Sequence, residues 1–408
     1  MKYSLFSKYG VEIEYMIVDQ ETLQVLPISD RILRTDTDTI TDEVSRSSGL
    51  NWSNELVAHV IEVRPALPVD SLDSLAHLFA DEIRTINERL RPHNACLLPT
   101  GTHPFMDPVQ ETTLWQHQWH EVYEHYDTLF DCHRHGWANL QSTHLNLSFA
   151  NDAEFAQLHA AIRLVLPLIP ALAASTPILE GKYTGIADTR LEVYRTNQSR
   201  YPLIAGSVIP EAAWSEAEYT QKILQPLYAQ IAPVDPEKIL STPALNSRGA
   251  RVNFEEGRIE IRLIDSQECP TADIAICQFI TACIQLLVSE TISDLAQQQK
   301  FTHIELSQIL QECIKNAESA IISDTNYLSV LGNAQESVSA QKLLEHLLQM
   351  VQTQAGELPW METIRYILSH GTLATRILGQ TGRQPSREIL ITTYQKLRAC
   401  LNTNTLLP

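Results

Sequence analysis

Polar and apolar residues alternate with period two in three separate stretches, the spacing of strands that are covered on one face, and a further short run also reads as a strand. Val11, Ile13 and Tyr15 are interleaved with Glu12, Glu14 and Met16. Residues 60–63 form a second run that stops before Pro65. In 143–149, His144, Asn146 and Ser148 oppose Leu145, Leu147 and Phe149; in 258–264, Arg258, Glu260 and Arg262 oppose Ile259, Ile261 and Leu263. The period then changes. Leu72, Leu75, Leu78, Phe79 and Ile83 predict an amphipathic helix over 71–90, with Asp70 or Ser71 as its cap. A second helix is expected over 152–174, kinked or ended by Pro167 and Pro170. The polar, basic stretch 181–201 reads as a loop. From residue 272 onward the pattern is helical, with no further strand. Strands followed by helices give an α+β class built on an antiparallel sheet. The expected organisation is a catalytic core over 1–285 and a helical part over 286–408 packed on it as one structural unit.

Composition narrows the class. The 408 residues are 44% hydrophobic and 19% charged, enough for a sizeable core. A formal net charge of −19 argues against nucleic acid or an anionic membrane as the main partner. The most apolar stretch read from the chain, 162–174, is broken by Arg163 and two prolines and is too short to span a bilayer. The seven cysteines are scattered and never form a Cys-x-x-Cys pair, as expected of reduced cytoplasmic thiols.

The chemistry lies on the polar faces of the strands. Glu12 and Glu14 share one face, Glu62 and His144 with Asn146 stand on two others, and Glu260 with Arg262 on a fourth; Glu55 lies seven residues before Glu62. Two carboxylates about 7 Å apart on one strand face repel by roughly 2 kcal/mol at an effective dielectric near 20. A solvated surface can avoid that cost with Lys or Thr. A divalent cation turns it into ligation, and oxygen donors with one imidazole suit Mg²⁺ or Mn²⁺. Such a site suits phosphoryl transfer, with Arg262 placed to steady the transferred group; alone, Arg262 reads equally as half of an ion pair. No phosphate-binding glycine loop is present, so a nucleotide must be held by cations and side chains.

These segments resemble a known family. GVEIEY (10–15), NELVAHVIEVRP (54–65), GTHPF (101–105), NLQSTHLNLSF (139–149), TGIADTRLEVYR (184–195) and RIEIRLIDSQECPTADIAI (258–276) occur in the order seen in the glutamate–cysteine ligases, especially their bacterial carboxylate–amine ligase branch. The resemblance implies a glutamine-synthetase-like fold, an antiparallel sheet forming a funnel lined by carboxylates. It implies that ATP phosphorylates the γ-carboxylate of glutamate and that cysteine or another amine attacks the acyl phosphate. By position, Glu12, Glu14, Glu55, Glu62, His144 and Glu260 correspond to metal ligands. Arg262, with Glu260, corresponds to the catalytic pair. Asn146 and the basic segment with Arg190, Arg195 and Arg200 correspond to substrate or nucleotide contacts. One departure is the histidine strand, which reads Thr143-His144-Leu145-Asn146 where many relatives carry two histidines.

Other readings stay open at this level: a metallohydrolase using the same carboxylates, or a non-catalytic relative of the fold. Expected partners are small molecules, self-association is left open, and neither nucleic acid nor membrane is expected. His117, His120, His125, His133 and His135 read as packing and surface residues, Cys269 as an inert thiol, and His103 as either a turn residue or part of the site rim.

Overall fold

The strand that begins with the Glu-x-Glu pair organises the molecule. The computed structural model describes residues 2–408 apart from Asp36, Ser241 and Thr242. Its strands are β1 (Tyr9–Asp19), β2 (Glu43–Ser45), β3 (Leu50–Asn54), β4 (Val60–Pro65), β5 (Ala95–Leu98), β6 (Ser142–Ser148), β7 (Ile178–Leu179), β8 (Lys182–Tyr183), β9 (Ala250–Asn253) and β10 (Arg258–Asp265). Eight of them form one antiparallel sheet in the order β2-β3-β4-β1-β6-β10-β9, with β5 paired to the far half of β1. The four strands read from the sequence are thus its four central neighbours, β4-β1-β6-β10.

The two faces of β1 differ in kind. Val11, Ile13, Tyr15 and Ile17 are fully buried in the main core, against the helices Leu75–Leu90, Asp152–Val165 and Pro270–Val288. The other face begins with Glu12 and Glu14 and continues as Met16 and Val18, which a second apolar cluster with Leu98, Tyr201 and Tyr394 covers. One strand face therefore changes from polar to apolar midway along its length. Helices from the last third of the chain enter the same main core, with Leu343, Leu347 and Ile364 beside Phe279 and Ile280.

Several elements differ from expectation. The first helix starts at Leu75, because Ser71 closes a turn onto Asp73 and Asp70 pairs with Lys8. The second helix stops at Val165, and the prolines carry the chain through a short 3₁₀ turn into Pro170–Ala173. The segment 181–201 is not a loop: it holds β8, which pairs with β7 just before it, and the helix Thr189–Asn197, capped by Asp188 accepting from the Leu191 amide. Past residue 272 one two-residue ladder, Ile321–Ile322 with Val338–Ser339, interrupts the helices. Pro270–Val288, rather than 162–174, is the helix long and apolar enough to cross a bilayer, and most of it is buried as a central core helix.

Burial also predicts acid sensitivity. His59, His103 and His159 are buried, each with one ring nitrogen on a backbone carbonyl (Ala138, Leu23 and Ala213). Burial holds His59 down to about 4, and His103 and His159 down to about 3. The unfolded chain binds these protons first, so the stability is complete above about pH 6.5 and is lost as pH falls toward the folded values. At pH 5 each neutral ring costs about 2 kcal/mol on this reasoning. His159 stacks on Phe155, with centroids 5.0 Å apart, so a phenyl ring fits its place. His159→Phe is expected to be less stable than the parent at pH 7.5, for want of the Ala213 hydrogen bond, and to close or reverse that gap at pH 5. Urea unfolding at both pH values checks this, and an unchanged gap contradicts it.

Candidate active site

Strand register brings the acids together. Glu12 lies opposite His144, Glu14 opposite Glu62, and Glu260 opposite Asn146. Glu55 follows the end of β3 and turns back toward the same face. Glu12, Glu62 and His144 each bring one donor atom within 4.8 Å of the others, and so do Glu14, Glu55 and Glu62. Glu62 belongs to both sets.

Hydrogen bonds fix the orientation of these side chains. The His144 Nδ1 is 3.2 Å from a Glu12 oxygen, and its Nε2 is 2.8 Å from the Ser142 hydroxyl. That hydroxyl, at 3.1 Å, and the Ser142 amide, at 2.7 Å, both donate to Glu14. In this arrangement an Nδ1 proton can donate to Glu12; with Nδ1 on a metal, the ring would instead give its Nε2 proton to Ser142, the tautomer a metal ligand needs. Asn146 donates to Glu12 at 3.1 Å, and Ser53 donates to Glu62 at 2.9 Å.

The carboxylates crowd one another. Burial and then the neighbouring Glu14 push Glu55 up to about 8, while burial and then Glu12, Glu55 and Glu14 raise Glu62 well above the carboxylate range. Glu12 is held below its ordinary value: burial and the charge of Glu260 work against this, and the hydrogen bond to His144 with the charges of His144 and Arg258 together outweigh them.

Glu260 has different neighbours. It is 1% exposed and meets three guanidinium groups: Arg251 at 2.6 Å, Arg258 at 2.9 Å, and Arg262 in close contact. Burial opposes its charge, and Arg262 first among the three more than compensates, holding it well below the carboxylate range. It lies 3.9 Å from His144 and belongs to neither carboxylate set. The Arg262 partner is thus the carboxylate two residues earlier on its own strand. The Arg262 Nε is buried with no hydrogen-bond partner among the described residues.

A cavity of about 750 Å³ opens beside the Glu12–Glu62–Glu260 end of the cluster, lined also by Lys8, Arg64 and Arg258. Beyond the other end, at Glu55, stands the helix His120–Phe130. Its Tyr123 hydroxyl accepts from Asn54 at 3.1 Å and is raised by burial and then by Glu55. Tyr126 of the same helix packs edge-on to Trp137.

The eight residues Glu12, Glu14, Glu55, Glu62, His144, Asn146, Glu260 and Arg262 stand together. Of the three arginines of the basic segment, Arg190 is buried against Asp265 and reaches this group only at the Arg262 backbone carbonyl, Arg195 pairs with Glu192, and Arg200 lies over the Tyr201 ring. His103 is buried rather than at a rim. His125 and His135 meet Asp235 and Glu180, and Cys269 is buried. Sequence reading passed over Arg258, although it shares the alternation of Glu260. Ser142, Arg251 and Tyr123 carried no local signal, because only strand pairing and tertiary packing place them.

Residues 8–396 match the profile described as "Glutamate-cysteine ligase family 2". An uncharacterized protein of Archaeoglobus fulgidus is 32% identical over 97% of this chain and 98% of its own length. A Gloeobacter violaceus protein named "Putative glutamate--cysteine ligase 2" is 23% identical over 90% of each chain. Among solved structures, a glutamate–cysteine ligase of Francisella tularensis superposes with a TM-score of 0.60 at 11% identity, covering 100% of this chain and 91% of that one. A bifunctional glutathione synthetase of Pasteurella multocida gives 0.61 at 13% identity; 97% of this chain is covered but only 52% of the longer one. These likenesses support the antiparallel-sheet fold.

Proposed function

Because the chain belongs to glutamate–cysteine ligase family 2, and so to the ligases that form carbon–nitrogen bonds, we propose that it couples ATP cleavage to joining the γ-carboxylate of glutamate to an amine, with Mg²⁺ or Mn²⁺. The observation that supports this most is the pair of donor sets sharing Glu62, beside Arg262. Oxygen donors with one imidazole, and two glutamates raised by burial and then by crowding, fit a divalent cation. Glu12, Glu62 and His144 would hold one ion, and Glu14, Glu55 and Glu62 another. Bound there, such ions supply neutralisation of phosphate charge.

The chain's own residues supply position. The cavity with Lys8, Arg64 and Arg258 admits a polyphosphate. A γ-carboxylate oxygen of glutamate attacks the terminal phosphorus and ADP departs. The amine nitrogen then attacks the acyl carbon, loses a proton, and phosphate leaves. A free carboxylate resists an amine because it offers no leaving group; the phosphoryl group provides one. Arg262, with an unpartnered Nε, is the donor for oxygens of the transferred group.

The test is product analysis. One ADP is expected per amide bond, and hydroxylamine is expected to trap a γ-glutamyl hydroxamate whatever the natural amine. Production of AMP and pyrophosphate, or ADP release without glutamate, overturns the reading.

A further inference from the structure

Arg262 sits on an irregular stretch of strand. Between Ile261 and Ile264, β10 gains one residue relative to β6, whose partners are Leu145 and Thr143. A bulge of this kind re-aims the side chains on it and leaves ladder groups without a strand partner. Pairing with β9 also ends at Ile261. The Arg262 amide is met by the Gly249 carbonyl at 2.9 Å, and the Arg262 carbonyl accepts from the Nη2 of Arg190 at 3.4 Å.

Arg190 is itself held. It is 1% exposed, and its Nε binds the Asp265 carboxylate. Asp265, three residues after Arg262 on the same strand, also accepts from the Ser175 amide and hydroxyl and from the Thr176 hydroxyl. The Arg190 amide returns a bond to Thr176. Gly101 packs so tightly here that a Cβ would lie 2.8 Å from the Asp265 carboxyl carbon. The end of β10, the segment at 175–176 and the helix Thr189–Asn197 thus meet at one buried carboxylate.

We propose that Arg190, anchored by Asp265, is a positioning residue for Arg262: its guanidinium spans from Asp265 to the Arg262 carbonyl and sets the bulge from which Arg262 reaches the site. Buried as it is, Arg190 contacts backbone and Asp265 rather than substrate. The kinetic part of this rests on the ligase reading above; the structural part does not. Only a fork with two separated donors can serve both acceptors, and a lysine offers a single point charge.

The variant is therefore Arg190→Lys, which keeps the charge opposite Asp265. A roughly tenfold lower kcat is expected, with KM for glutamate and ATP within about twofold. The loss should disappear in an Arg262→Lys background, since nothing is left to position. Additive losses, or a raised glutamate KM at unchanged kcat, overturn the proposal. A crystal structure of the variant decides independently of turnover: the Arg262 guanidinium is expected to leave Glu260, and finding it in place overturns the proposal even if the parent proves inactive with glutamate. Where Arg190→Lys fails to fold, Asp265→Asn releases the same guanidinium and is read in the same two ways.

Discussion

Glu62→Gln is expected to lower turnover by about 10²- to 10³-fold, because this carboxylate belongs to both donor sets and each bound ion is worth several kcal/mol of transition-state stabilisation. The same change should affect stability in the opposite direction. Glu62 is buried and raised by three neighbouring glutamates, so the folded chain without metal carries an unfavourable carboxyl that the amide removes. In EDTA the variant is therefore expected to melt at or above the parent temperature. On adding Mg²⁺ or Mn²⁺ with a nucleotide, the parent should gain melting temperature by mass action and the variant should gain much less. Ser53 can still hydrogen-bond the amide oxygen, which keeps the side chain in place. A variant with parental activity, or one whose melting responds to metal as the parent does, excludes Glu62 as a shared ligand.

Arg262→Lys is expected to cut kcat by about 10²-fold or more. A lysine can sit opposite Glu260 but cannot present the planar donor fork to phosphoryl oxygens. The fold should survive, for a reason visible in the contacts: Glu260 keeps Arg251 and Arg258 when Arg262 is shortened, so no buried carboxylate is left unpaired. Circular dichroism and melting near the parental values, together with the loss in kcat, are the expected result. Parental kcat would return Arg262 to the role of a structural ion pair.

The central sheet was legible because β1, β6 and β10 alternate, and alternation is a local property of the chain. The same property revealed Glu12, Glu14, His144 and Glu260. The shorter strands were not legible: Ala95–Leu98 is buried throughout, so it has no period, and Ala250–Asn253 is too short to show one. The helix Thr189–Asn197 was hidden by composition, since Arg190, Glu192, Arg195 and Asn197 give it no apolar stripe. Its cap at Asp188 was the available signal. The basic residues on it suggested substrate contact, yet burial against Asp265 is a long-range fact that no local pattern encodes. Family resemblance added the assignment of Glu55, which stands outside any strand and shows no alternation of its own.

The two-sided character of β1 has a bearing on how the chain avoids misfolding. A one-residue slip of this strand against β4 and β6 would exchange its faces. Glu12 and Glu14 would enter the space now filled by Val11, Ile13 and Tyr15, while those apolar side chains would face His144, Asn146 and Glu62. Each carboxylate buried without a partner costs several kcal/mol, so mispaired forms of the central sheet are heavily disfavoured. The acids that crowd the open face thereby act as a proofreading signal for strand pairing. Replacing both by small apolar residues would leave a more stable face and a chain less able to reject the wrong register.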